Sequence, residues 1–206
     1  MICTGILMAF IITSCAGSKK TATTDSMAGT AARVKQLEAE GYKITGAYST
    51  FTLYELLDRH NKKVASDWER YVPLQGTGVG SETSDARMYA RNDAAIAYAT
   101  EAGSVIEGGI TRQFSNLSGD SRIKIMGAYT QKVQEFIMPH LKESLSVQKE
   151  NNNRISVMTF FIIDETQAKN VRKDAMNQAL RETGMEQVFG TAVDKWVEEF
   201  VSPRSE

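Results

Sequence analysis

Two cysteines are all the chain has, Cys3 and Cys15, and both fall near its start. A disulfide framework, a thiolate metal site and a cysteine nucleophile in the folded body are therefore excluded. Prolines number only three, Pro73, Pro139 and Pro203, so long uninterrupted elements are possible. A basic excess is also missing. Twenty-four Lys and Arg face 25 Asp and Glu, a formal charge of -1, and no Lys/Arg run with interleaved aromatics offers a path for a polyanion. Nucleic acid is thus not an expected partner. Histidines are two, His60 and His140, in separate segments. A metal centre needs three or four ligands at close spacing, so no metal is expected and each histidine is read as a surface or boundary residue. In "DRHNKK", Asp58 and His60 are two apart and point in different directions on a helix. No G-x-S-x-G elbow marks a serine nucleophile.

What is present suits one ordinary α+β domain with appendages: 206 residues, 42% apolar and 24% charged. The opening "MICTGILMAFIITS" carries no charge and is too short to span a bilayer. It has the character of the apolar part of a secretory signal. It ends at "ITSC", an aliphatic residue and two small ones before Cys15, followed by the polar "AGSKKTATTDS". That order resembles a bacterial lipobox. In such signals the cysteine thiol receives diacylglycerol, the chain is cut before it, and the new amino end is acylated. Such signals open with Lys or Arg and this run has neither, a difference that a start upstream of Met1 would explain. Ala16 follows Cys15, so the aspartate that retains lipoproteins in the inner membrane is absent, as is the acidic cluster used for surface display. The expected site is the outer membrane, facing the periplasm.

Residues 1–14 are accordingly read as a signal peptide, 15–28 as lipidated cysteine and flexible tether, 29–68 as an N-terminal helical extension, 69–163 as a β-α-β-β core and 164–206 as C-terminal helices. "GTAARVKQLEAE" places Ala31, Val34 and Leu37 at helical spacing after Thr30, a candidate cap. "YKIT" reads as a short strand. "STFTLYELLDRHNKK" puts Leu53, Leu56, Leu57 and His60 on one helical face, with Ser49 or Thr50 as cap. "RYVPLQGTGVG" is a strand that Pro73 assigns to an edge or a bulge. The next helix starts near Ser84 with Ala86, Ala90, Ala94 and Ala97 as a small stripe for packing on a sheet. It continues through Tyr98, Ala102, Ile106, Ile110, Phe114 and Leu117, with a kink or break expected near Gly108. A further helix covers Ser121 to Phe136, ended by Pro139. "LKESLSVQK" alternates Leu141, Glu143, Leu145 and Val147 on one side, and the apolar "RISVMTFFII" is the more central strand. The asparagines of "ENNN" between them tolerate left-handed geometry and make a hairpin. Two helices follow, 165–183 and 185–201, separated by Gly184. Asp164 and Glu165 suit the start of the first. In the second, Val188, Phe189, Ala192, Val193, Trp196, Val197 and Phe200 form an apolar face, either core or a docking face for another copy or another envelope protein.

Gly76, Gly78 and Gly80 stand between strand-like and helix-like runs, where phosphate loops occur. Their spacing is G-x-G-x-G rather than G-x-G-x-x-G, and no Gly-Lys-Ser/Thr follows. Glu82 would set a negative charge against a phosphate. The glycines are read as a strand end and turn, binding no nucleotide or other cofactor.

"GTGVGSETSDARMYARNDAAIAYATEAGSVI" resembles the twenty-kilodalton membrane-associated lipoprotein family, in which a strand and glycine turn lead into an alanine-rich helix. "VKQLEAEGYKI" is similar to the opening of a Bacteroidetes branch, and "SVQKENNNRISVMTFFI" to its last two strands. The likeness covers about residues 30–185. It implies a small antiparallel β-α-β-β core like that of dodecin, an outer-membrane anchor, no established enzymatic role and no catalytic residues to carry over. The expected function is that of a lipid-anchored envelope lipoprotein, acting by homo-oligomer assembly or interaction with another envelope protein. A small-ligand binder, or a hydrolase with a site gathered from distant residues, stands as the alternative. Replacing Cys15→Ala should stop palmitate incorporation and move the chain to the soluble fraction; labelling that persists in the variant would contradict the lipobox.

Overall fold

The structure, a computed structural model, describes residues 22–45, 50–113 and 117–189. In chain order these form helix α1 (Ala22–Ala39), a short strand β1 (Lys43–Ile44), helix α2 (Leu53–Ser66), strand β2 (Tyr71–Gly80) and the long helix α3 (Thr83–Gln113). Helix α4 (Gly119–Ile137) runs into a 3-10 turn (Met138–His140). Strands β3 (Lys142–Asn151) and β4 (Arg154–Asp164), helix α5 (Glu165–Glu182) and one further turn, α6 (Glu186–Phe189), complete the described chain. The strands lie in the order β1-β3-β4-β2, every neighbouring pair antiparallel. This is the expected α+β arrangement with flanking helices.

Strand β4 pairs on both sides, and its run from Val157 to Ile163 is buried throughout. Its continuous apolar sequence thus serves two cores. Phe161 and Ile163 join Leu141 and residues of α3, α4 and α5 on one face. Met158 and Phe160 join Leu145, Val147 and residues of α1 and α2 on the other. The β3-β4 hairpin turns through Asn152 (φ 49°) and Asn153 (φ 60°), the left-handed pair that the asparagine run predicts. Strand β3 departs from strict alternation. Its register shifts between Glu143 and Leu145, so Glu143 lies opposite Phe161 while Leu145 lies opposite Phe160. One extra residue at Ser144 therefore sends Glu143 and Leu145, expected on one side, to opposite faces.

The glycines of β2 are not a turn. All three lie within the strand, and period two puts them on the face that α3 covers. A Cβ on Gly76 would lie 1.9 Å from the carbonyl oxygen of Ala90, one on Gly78 2.1 Å from that of Ala86, and one on Gly80 2.9 Å from the amide nitrogen of Ala86. Helix backbone thus rests directly on strand backbone. The two repeats fit because two strand residues advance about 6.7 Å and four helical residues about 6 Å. Ala86, Ala90 and Ala94 are the fully buried helix side of this contact. Ala97 is exposed instead, and the stripe passes to Tyr98. Helix α3 also runs unbroken past Gly108. Its second half packs along α4, and Gly103 allows that approach, since a Cβ there would lie 2.8 Å from Thr130 Oγ1.

The remaining differences are local. Helix α1 begins at Ala22, inside the segment read as tether, because neither proline nor glycine interrupts Ser18 to Ala28. Thr30 is consequently a buried interior residue that accepts from Asn61 Nδ2, not a cap. Thr52, with Glu55, closes a capping box on α2 in place of Ser49 or Thr50. Strand β2 is the sheet edge that Pro73 predicts, and Asp93 of α3 accepts a 2.8 Å hydrogen bond from the Thr77 amide. Proline and carboxylate together blunt that edge. Phe114 and the helix face from Ala192 to Phe200 lie outside the described residues.

Two substitutions separate this packing from the expected one. In urea unfolding, Ala94→Leu should cost about 1–3 kcal/mol by overpacking. Ala97→Leu, on the exposed side, should stay within about 0.5 kcal/mol. The opposite order would move the contact to a different face of α3.

Candidate functional site

Cys15 lies outside the described residues. His60 is not at the surface. It is 6% exposed, among Leu56, Leu57 and Leu53 on the face of α2 that meets the sheet, with its ring edge-on to Phe160 at 5.8 Å between centroids. Its Nδ1 has no partner, and burial holds its pKa below the ordinary value. The helical stripe had placed His60 with those leucines, and the stripe outweighed the usual exposure of histidine. Neighbouring Asp58 is paired with Lys62 at 2.7 Å.

Two polar clusters inside the body were not anticipated. Between α3, α4 and α5, the Arg172 guanidinium, 2% exposed, donates to Tyr98 Oη and Glu165 Oε1. Desolvation pushes the Tyr98 phenol up to about 12 and raises that of Tyr129, whose hydroxyl is buried without a partner. Glu165 also follows Asp164, which caps α5 by accepting from the Thr166 amide. The expectation that this acidic pair serves the helix start holds for Asp164, while Glu165 additionally neutralises Arg172. The second cluster lies on the sheet face beside α3. Arg87 pairs with Glu143, Ser146 donates to Glu143 at 2.8 Å, and Ser146 shares a 2.8 Å contact with Thr159. Arg91 donates to the carbonyls of Met138 and Leu141, each at 2.9 Å, fixing the 3-10 turn to α3. The buried Ser146 hydroxyl faces a carboxylate already committed to a guanidinium, which leaves it no base to activate it.

The sequence did carry a sign of the first cluster. Along α5 the buried positions are Ala168, Val171, Arg172, Ala175, Met176, Ala179 and Leu180. A charged residue inside an otherwise apolar stripe demands a partner of opposite charge. The second cluster had none, because it depends on the extra residue in β3 that turns Glu143 toward α3.

Ligand-accessible polar groups gather elsewhere, in an open groove of about 600 Å³ between the end of α4, the 3-10 turn and α5. Phe136, Pro139 and Val171 supply its apolar surface, and Glu135, His140, Asp174, Asn177, Gln178 and Arg181 its polar one. Lys132 binds Glu135 at 3.3 Å and Glu182 at 3.1 Å, Gln178 reaches Glu182 at 3.1 Å, and Arg181 reaches Glu186 at 2.8 Å. The side chains of His140, Asp174 and Asn177 make no hydrogen bond or ion pair with another described residue. The pattern in the sequence was a polar helix face, Asp174, Asn177, Gln178 and Arg181 at helical spacing, and nothing in it showed that His140 would stand across from them. Among the described residues no three His, Cys, Asp or Glu side chains are placed to hold a metal ion, and no helix is long and apolar enough to cross a membrane.

What fold and groove define is a class only: an α+β domain with helices on both faces of a four-stranded antiparallel sheet and an open polar groove at one end of its helical layer. No family model, curated protein or solved structure matches the chain.

His60 gives the body a pH signature. The unfolded histidine titrates near its ordinary value of 6.5, and the folded one below it. Stability from keeping the ring neutral is complete above that value and declines as pH falls toward the folded pKa, because the unfolded chain then takes up the proton first. Between about pH 7 and pH 5, wild type should lose more stability than His60→Leu in parallel denaturant titrations. Equal losses would mean that the His60 ring reaches water.

Proposed function

We propose that this chain is a lipid-anchored, periplasm-facing lipoprotein of the outer membrane, akin to the twenty-kilodalton membrane-associated lipoproteins, and that it acts by assembly or interaction rather than by catalysis. The observation that carries the non-catalytic part is the use of its reactive residue types. Arg172, Glu165 and Tyr98 brace α5 to α3, while Arg87, Glu143, Ser146 and Thr159 brace a helix to the sheet. Groups so committed are poorly disposed to exchange protons with a substrate. The "ITSC" junction after an uncharged apolar run supports the anchor. A second reading, small-ligand binding by an anchored domain, is favoured by the groove with its unpaired His140, Asp174 and Asn177.

Crosslinking in intact cells tests the proposal. The anchored protein should give a discrete adduct with a second copy or with one envelope protein, and the adduct should vanish when Cys15→Ala frees the chain from the membrane. An anchored protein that remains monomeric with every crosslinker length would contradict an assembly role.

A further inference from the structure

We propose that the groove between α4 and α5 is a binding site for a neutral saccharide of one or two rings; this deepens the small-ligand reading above and rests on it. The floor and the unpaired groups together select the ligand class. Phe136 and Pro139 offer an apolar surface at the end of α4. Around it stand three planar groups without partners: the His140 imidazole, the Asp174 carboxylate and the Asn177 carboxamide. An imidazole and a carboxamide offer N–H donors, the carboxamide oxygen accepts, and a carboxylate accepts through two oxygens. Such a set matches a ligand whose own groups both donate and accept, which is the property of hydroxyls. A sugar ring presents vicinal hydroxyls around its rim and C–H bonds on its face, complementary to the walls and floor in turn.

The same observations exclude competing ligands. An anion would meet the unpaired carboxylate of Asp174, whereas the cations nearby are engaged by Glu135, Glu182 and Glu186. A peptide that adds as a β-strand needs the main chain of a free strand edge, and both long walls here are helices whose backbone groups are satisfied internally. The volume of about 600 Å³ is within the range of small-molecule sites and suits one or two rings. The bland account is a solvated helix face. Against it stands the contrast within one surface: the charged residues around the groove find partners across or along the helices, and the three groups inside it do not.

The test is calorimetric titration of the full chain, held in a detergent without sugar headgroups, with N,N′-diacetylchitobiose, with maltose and, as a third arm, with L-arginine. At least one disaccharide should give saturable heat, weakened about tenfold or more by Asn177→Ala and by Asp174→Ala, with unfolding midpoints unchanged in both variants. These exposed or half-exposed positions tolerate truncation, so loss of binding would not reflect loss of fold. No saturable heat from either sugar would overturn the proposal, as would sugar binding unaltered in both variants. Binding of arginine alone would also overturn it, while leaving the broader ligand-binding reading in place.

Discussion

Backbone lies against backbone where α3 crosses β2, and the rest of the helical layer takes its position from that contact. With hydrogen atoms in place of side chains at Gly76 and Gly78, the helix approaches until its carbonyls occupy the space of a Cβ. Such proximity leaves α3 little freedom to slide or rotate. Its alanine face is spent on the strand in the first half. The apolar stripe then moves round to Tyr98, Ala102, Ile106 and Ile110, which meet Ile125, Tyr129 and Val133 of α4. Helix α5 closes the layer against α4 and the end of β4.

The seams of this layer are filled with charge as well as hydrocarbon. Burying Arg172 would be strongly unfavourable alone, and Glu165 with Tyr98 makes it tolerable, although replacement of such groups by apolar ones is often no worse for stability. The benefit of the arrangement is directional. The α5 guanidinium can reach Tyr98 of α3 in one relative placement of those helices, whereas leucines would accept several. Among the described residues the opposite face of the sheet has no buried ion pair of this kind. There α1 and α2 meet Leu145, Val147, Met158 and Phe160 mainly through hydrocarbon, with the buried His60 and the Thr30–Asn61 hydrogen bond among them.

Much of this was legible in the sequence, and the errors have identifiable causes. Strand β4 could be called central because it is apolar at successive positions, and the hairpin because two asparagines accept positive φ. The alternate glycines suggest a turn because glycine is common in turns, yet their period of two is the period of one strand face. A step of three after Ala94 puts Ala97 on the stripe, where the structure takes a step of four to Tyr98; either step is helical, and only the crossing on β2 decides. The break expected at Gly108 follows from helix propensity, which packing against α4 outweighs. The shift at Ser144 leaves no trace in "LKESLSVQK", and without it Glu143 would face the other layer. The groove was the least legible feature, since His140 and Asn177 come to line one groove only through tertiary packing.

The braced body and the groove share one helical layer. That layer depends on α3 lying on β2, and nuclear Overhauser spectroscopy on the labelled protein observes that contact directly. The α protons of Gly76 should show strong cross-peaks to Ala90 and Ala94, and those of Gly78 to Ala86 and Ala90. Cross-peaks from these glycines to solvent-exposed neighbours alone, with none to the three alanines, would contradict the account.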